Sequence, residues 1–446
     1  MLKATTTTSS ECSVNTILMV AFHYPPCCGS SGLQRTLSFS RYLLREGWQP
    51  VVLTVKPSVH CQTSNDQLSD IESGVQVERS FALDSKRDLG FRGRYLKWLA
   101  LPDLWVTWFF WAVPLALRLI RKHKPKVIWS TYPIATAHLI GLALQRLTGI
   151  PWVADFRDPM TEINSITGQR RPEDRSSWRV WSWIERLTVK YCSRAVFATE
   201  GSLRIYAERY PEIPKNRWIT IPNGYDEQNF LEAELLASAR SAEKTRTILL
   251  HSGVLYYTAD RDPTPFFAAL AKLRRDRKIS PESLQVILRA SGYESDYQAL
   301  IRKYDIADIV FLEPAIPYRD ALAEMLMADG LLVFQGYTSN PAIPAKVYEY
   351  LRARRPIFAL VDSEGDTAKL LKAAGVGKIV PLDSEELIAE GLLDFLQVVR
   401  DAQAPVLDPG TVRYYAREFQ AQRLARLLNT IGGEPIRARV GKDVYE

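Results

Sequence analysis

The feature that most constrains this chain is an alternation kept up along its length. Short apolar runs exchange with longer amphipathic ones. "TILMVAFHY" reads as a strand and "SSGLQRTLSFSRYLLREG" as loop then helix. "QPVVLTV", "KVIWSTY", "PWVADFR", "AVFATE" and "WITIPNG" follow as strands, with "IATAHLIGLALQRLTG" and "WSWIERLTVKYCS" as helices between them. Strands that are apolar throughout are covered on both faces, as in parallel sheets flanked by crossover helices. After the helical, polar stretch "FLEAELLASARSAEKTR" the pattern restarts with "TILLHSG", "LQVILRASG", "DIVFLEP", "GLLVFQG", "PIFALV" and "KIVPL" as strands. "YYAREFQAQRLARLLNT" closes the chain as one long helix. The expected class is α/β, with two tandem Rossmann-like, doubly wound domains facing a cleft. A length of 446 residues also exceeds one ordinary core. The expected divisions are a flexible leader at 1–15, a first domain at 16–225, a second at 226–405, and a helix at 406–432 packing back on the first domain.

The chain is 46% hydrophobic and 24% charged, which is globular rather than disordered. Its net charge of +7 favours anionic partners. The basic residues are dispersed and no nucleic-acid motif occurs, so a nucleic-acid role is not expected. Cys12, Cys27, Cys28, Cys61 and Cys192 are odd in number and form no C-x-x-C pair, and the five histidines show no metal-site spacing with them. A reducing cytoplasm and no metal or other cofactor are expected. The first apolar run, "ILMVAF", is too short for a signal peptide. "LWVTWFFWAVPLAL", residues 104–117, is too short to span a bilayer. Trp98, Trp105, Trp108 and Trp111, followed by "RLIRKHKPK", suit either a buried helix or the inner face of a membrane, reached through residues 95–124.

Ligands of open α/β sheets sit outside the carboxyl ends of the strands, so chemistry is sought there. In "PAIPAKVYEYLRARRP" a helix starting at Pro344 sets Lys346 and Glu349 one turn apart. The pair is either an ordinary surface ion pair or a site for phosphates and hydroxyls. In "HYPPCCGSSGLQRT", Gly29 and Gly32 open a helix where an anion could approach backbone N–H groups. "PWVADFRDPM" gathers Asp155, Arg157 and Asp158 at a strand end, either facing a ligand or pairing internally. His138 lies on an apolar helix, a place for packing more than catalysis. In "LLHSGVLYYTADRDPTP", Asp262 could cap a helix opened by Pro263, bringing Arg261 beside its start.

The order of these phrases, with "ITIPNGYD" and "GDTAKLLKAAGVGKIV", resembles the retaining glycosyltransferase family 4 class and its GT-B fold over roughly residues 16–430. Within that class it is similar to the subgroup that assembles bacterial surface polysaccharides, often on lipid-linked acceptors. The resemblance implies a hexosyltransferase-type enzyme with a nucleotide-sugar donor on the second domain and a glycan or lipid-linked acceptor on the first. It implies that Glu349 accepts from the ribose hydroxyls and that Lys346 lies towards the diphosphate. Arg261, near Gly253, would steady the leaving phosphates, and backbone at Ser339 and Asn340 would add N–H donors. Gly29 and Gly32 would belong to the loop closing over the diphosphate. Two positions depart from the pattern. Pro341 stands where many relatives carry the first of two paired glutamates, and Arg157 where many carry histidine. Asp158 and Arg157 are therefore the leading candidates near the reacting carbon, with His138 behind them. Epimerisation of a nucleotide sugar and a non-catalytic nucleotide-binding scaffold are the competing expectations. The expected location is the cytoplasm, peripheral on the inner membrane face.

Overall fold

The structure is a computed structural model. It describes residues 15–27, 31–92, 94–163, 170–240, 246–257, 260–375, 377–401 and 409–433. The leader expected at 1–15 lies, except for Asn15, outside the described residues. Among the described residues the elements run as follows. The first series is β1 (Asn15–Val20), α1 (Ser31–Arg45), β2 (Trp48–Val55), β3 (Gln76–Ser80), α2 (Trp108–His123), β4 (Val127–Thr131), α3 (Ala135–Thr148) and β5 (Trp152–Arg157). A small hairpin follows, β6 (Glu162–Ile163) and β7 (Arg170–Arg171), then α4 (Arg175–Tyr191), β8 (Arg194–Phe197), α5 (Glu200–Arg209) and β9 (Trp218–Thr220). Next come α6 (Glu227–Ala239), β10 (Thr247–Ser252), α7 (Thr264–Arg275), β11 (Leu284–Arg289), α8 (Glu294–Lys303), β12 (Val310–Glu313) and α9 (Tyr318–Met327). The last are β13 (Gly330–Gln335), α10 (Ala345–Ala353), β14 (Ile357–Val361), α11 (Asp366–Ala373), β15 (Lys378–Val380), α12 (Glu385–Arg400), α13 (Pro409–Tyr414) and α14 (Arg417–Gly432).

The strands form two sheets, of order β3-β2-β1-β4-β5-β8-β9 and β12-β11-β10-β13-β14-β15. Each begins at an inner strand, grows outwards in one direction and then reverses, so β1/β4 and β10/β13 mark the switch points. In the second sheet every neighbouring pair is parallel. Chain contacts group the molecule into Met1–Ala154 with Arg186–Ser193 and Leu424–Glu446, and Asp155–Glu185 with Arg194–Arg423. In the first unit β1, β2 and β4 are almost wholly buried, and the Trp48 indole N–H donates to Asn429 Oδ1 of α14 at 3.0 Å. In the second unit two apolar clusters form. One joins Phe266, Val286, Leu288 and Phe334; the other joins Leu331, Val347, Tyr350 and Leu371.

Local chemistry sets the element ends. Gly149 stops α3 in the left-handed region, and its N–H returns to Gln145 O. Thr199, Asp226 and Ser384 cap α5, α6 and α12 through their side-chain oxygens. The long closing helix runs over Arg417–Gly432, but the expected 406–432 span is not one helix. It breaks between α13 and α14, where Ala416 bridges Tyr225 and the Tyr225 N–H donates to Tyr415 O at 3.2 Å. The Trp-rich segment divides its side chains: Trp108 is buried, whereas Trp98 and Trp111 are exposed.

Candidate functional site

At the switch point of the second sheet, β10 ends in His251 and Ser252 and β13 ends in Gln335. Gly253 follows β10 with φ +107°, a conformation that costs glycine little. A Cβ there would stand 3.0 Å from Lys346 Nζ. Chain reversal after β10 brings Asp260 against the β13–α10 loop. Asp260 O accepts from the Gly336 N–H at 2.5 Å, and Asp260 Oδ1 accepts from the Thr338 hydroxyl at 2.5 Å. Arg261 lies over the Tyr256 ring at 5.2 Å, and its Nε is 3.7 Å from the Asp260 carboxylate, too long for a hydrogen bond. Asp262 Oδ1 accepts from the Thr264 N–H at 3.0 Å and so closes the start of α7.

Pro344 precedes α10, whose inner face is Val347, Tyr348, Tyr350 and Leu351. That packing carries Glu349 into the interior and leaves Lys346 half-buried, so the two are not an ordinary surface ion pair. Lys346 Nζ lies 3.0 Å from His251 Nε2. His251 Nδ1 donates to Leu332 O at 2.8 Å, since a carbonyl can only accept, which leaves Nε2 as an acceptor for the amine. Burial, with Lys346 next, holds the His251 imidazolium well below its usual range. Burial, reinforced by Arg261 and opposed by Glu349, pushes the Lys346 ammonium down to about 7. Glu349 is 7% exposed, and its Oε1 accepts from the Tyr318 hydroxyl at 2.6 Å. Burial raises its pKa, against the pull of Arg417, the Tyr318 bond and Lys346. The Tyr350 hydroxyl accepts from the Ser252 N–H at 3.0 Å and fixes α10 to the end of β10.

The other candidates lie as follows. Ser339 and Asn340 occupy the β13–α10 loop, but their N–H groups donate to Gly336 O and Tyr337 O, each at 3.2 Å, and so are not the open donors expected. The Gln335 amide donates to Ser339 O at 2.6 Å, and Asn340 Nδ2 donates to Asp362 at 2.6 Å. Arg157 ends β5 in the left-handed region with φ +62°, 5% exposed, and the Asp158 N–H donates to Phe156 O at 2.7 Å. That conformation is uncommon for a residue with a side chain. Nearby, burial raises the Glu162 pKa, with Asp158 and Asp260 adding to the effect and Arg171 opposing it. His138 belongs to the first unit. It is buried, with Nδ1 2.8 Å from Ser130 Oγ, which also accepts from the Trp152 indole at 2.9 Å. Gly32 sits in the first turn of α1, where its carbonyl accepts from the Thr36 hydroxyl at 3.2 Å. Gly29 lies outside the described residues.

The structure thus brings Gly253, Arg261, Lys346 and Glu349 together at one switch point and sets His138 and Gly32 apart in the other unit. Sequence reasoning missed His251, Tyr318, Tyr350 and Asp260. His251 alone carried a signal, as a histidine ending an apolar strand. Among the described residues no three His, Cys, Asp or Glu side chains gather as metal ligands, and no helix is long and apolar enough to cross a membrane.

Residues 32–224 match the family described as Glycosyl transferase 4-like domain. No curated protein matches the chain significantly. Among solved structures, a sucrose-phosphate synthase from Thermosynechococcus elongatus is similar over 94% of this chain and 99% of its own, at 15% identity and a TM-score of 0.65. WaaG, a glycosyltransferase involved in lipopolysaccharide biosynthesis, is similar over 92% of this chain and 99% of its own, at 14% identity and a TM-score of 0.60. Anabaena HepE in complex with UDP-glucose is similar over 94% and 97%, at 13% identity and a TM-score of 0.57. The fold is α/β with two Rossmann-like sheets, that of GT-B glycosyltransferases.

Proposed function

We propose that this protein is a glycosyltransferase that moves a hexose, with retention, from a nucleoside-diphosphate donor to a lipid-linked glycan during surface polysaccharide assembly. The observation that carries the reading is the cluster of Lys346, Arg261 and Glu349 at the carboxyl ends of β10 and β13, beside the open turn at Gly253. Ligands of doubly wound sheets bind at such switch points. Two cations suit a diphosphate and an inward carboxylate suits the paired hydroxyls of a ribose. The family match over residues 32–224 and the likeness to HepE, which was solved in complex with UDP-glucose, support a sugar nucleotide.

In this reading an acceptor hydroxyl oxygen bonds to the anomeric carbon as the bond between that carbon and the phosphate oxygen breaks; the electron pair leaves on the diphosphate, and the hydroxyl proton passes to the departing phosphate oxygen. Lys346 and Arg261 meet that charge, and preorganised charge of this kind is often the largest catalytic contribution. Asp158 and Arg157 serve the reacting carbon, and His138 is assigned to packing. The acceptor reaches the enzyme at a bilayer surface. Exposed Phe91, Trp98, Phe110 and Trp111 lie on one stretch whose backbone is tied together by the bonds of Ser85 to Leu104 and of Thr107 to Leu83. Lys97 and Arg92 stand exposed among them, and aromatic rings beside basic side chains suit an anionic interface.

The test incubates the protein with UDP-glucose, GDP-mannose or dTDP-glucose, with and without a lipid extract of the source membrane. Release of nucleoside diphosphate that needs the extract, with labelled sugar entering the lipid phase, is expected. A new sugar isomer formed from donor alone would identify an epimerase. Binding without either product would identify a scaffold.

A further inference from the structure

Lys346 sits in a place that is poor in negative charge. From β10 it faces His251, whose Nδ1 is committed to Leu332 O. From the loop after β10 it faces Arg261, and beyond it Asp260, which is engaged by Thr338. On its own helix the nearest carboxylate is Glu349, which is held by Tyr318 from α9 and drawn towards Arg417 from α14. A guanidinium stays charged at any working pH, so a second full cation beside Arg261 is disfavoured until an anion arrives. The hydrogen bond from Nζ to His251 Nε2 can be made in either state and is stronger from the ammonium. A neutral amine and an ammonium both have an N–H to donate to an imidazole nitrogen.

We propose that Lys346 takes up a proton when the diphosphate of a sugar nucleotide binds beside it, and that His251 is the positioning residue that holds the amine in place in both states. This rests on the donor-site reading above. The balance is simple: the Nζ lone pair accepts a proton from solvent, –NH2 becomes –NH3+, and the ammonium faces the phosphate oxygens. Donor binding is then coupled to pH near neutrality, where the amine without ligand is half protonated, at about 7. The bound state has the higher pKa. Affinity is therefore full below that pH and is lost as pH rises above it, by about tenfold per unit until the bound amine also titrates.

The test is calorimetric titration of the full chain with UDP-glucose, GDP-mannose and dTDP-glucose, in HEPES and in Tris at matched pH. These probes are pyrophosphate diesters with no phosphate that titrates near neutrality, so uptake belongs to the protein. The difference in heat between buffers is expected to correspond to uptake of a fraction of a proton near neutrality that grows towards one as pH rises. Lys346→Arg, which is always charged, is expected to bind with no buffer dependence. Equal heats in both buffers for wild type would overturn the proton uptake and leave the donor site standing. No binding of any probe by folded wild type would overturn both. For His251→Leu, loss of the acceptor is expected to move the break in the affinity profile to lower pH. A uniform loss of affinity at every pH would overturn the role of His251.

Discussion

Glu349 and Tyr318 form the shortest polar link of the carboxylate at the candidate site, 2.6 Å from hydroxyl to carboxylate. A carboxylate has lone pairs to spare after accepting one such bond. In the donor-site reading Tyr318 holds one oxygen and aims the other at the ribose. Tyr318→Phe is expected to raise the donor KM about three- to tenfold with kcat nearly unchanged, because the bond serves ground state and transition state alike. Steady-state kinetics checks this, and a fall in kcat alone would contradict it. Lys346 gives a stability prediction. Its pKa, about 7 in the folded chain, is below its ordinary value of 10.5, so the unfolded chain binds more protons between those limits. Stability then rises with pH across that interval, and the cost of the half-buried ammonium is full below it. Lys346→Met is expected to raise the melting temperature by a few degrees at pH 6.5, with the gain shrinking by pH 9.5. Thermal melts at the two pH values measure it, and a gain that is constant with pH would contradict it.

At the scale of elements, the break between α13 and α14 depends on a close approach of backbone. A Cβ on Gly224 would run into the carbonyl of Tyr415, and Arg417 Nε donates to Gly224 O at 2.9 Å. The obstructing carbonyl is backbone and not a flexible side chain that could move aside. Gly224→Ala is expected to destabilise the fold by about 1–3 kcal/mol, read as a lower denaturant midpoint. The same break shows where sequence reading ends. "YYAREFQAQRLARLLNT" is one helix from Arg417 onwards, as its pattern reads, and the break before it depends on a partner far along the chain, Tyr225. β3, with the sequence QVERS, is also not legible, because an edge strand exposed on one side lacks the apolar run that double coverage imposes. β1, β2, β4, β13 and β14 are legible for the opposite reason. Their burial on both faces is written in nearly every residue. Within the site, the phasing of Lys346 and Glu349 on one helix face follows from helix period alone. That they turn inward does not, because it depends on His251, 95 positions away from Lys346, and Tyr318, 31 positions away from Glu349.

At the scale of the whole molecule, the proposed reaction joins a water-soluble donor to an acceptor held in lipid. The exposed aromatic stretch is the chain's proposed means of meeting the second. Phe91, Trp98 and Phe110 are 75%, 66% and 69% exposed, so polar substitutions there remove little from the core. Trp98→Ser with Phe110→Ser is expected to abolish co-sedimentation with vesicles containing anionic phosphatidylglycerol, while donor binding in solution stays at the wild-type level. Unchanged sedimentation of the double variant would contradict a membrane role for this surface. The central claim concerns the donor, and titration of sugar nucleotides against wild type and Glu349→Ala tests it most directly. Wild type is expected to bind at least one of UDP-glucose, GDP-mannose and dTDP-glucose, and the variant, still folded by its melting curve, to bind it at least about tenfold more weakly. Equal affinity of the two proteins would contradict the account.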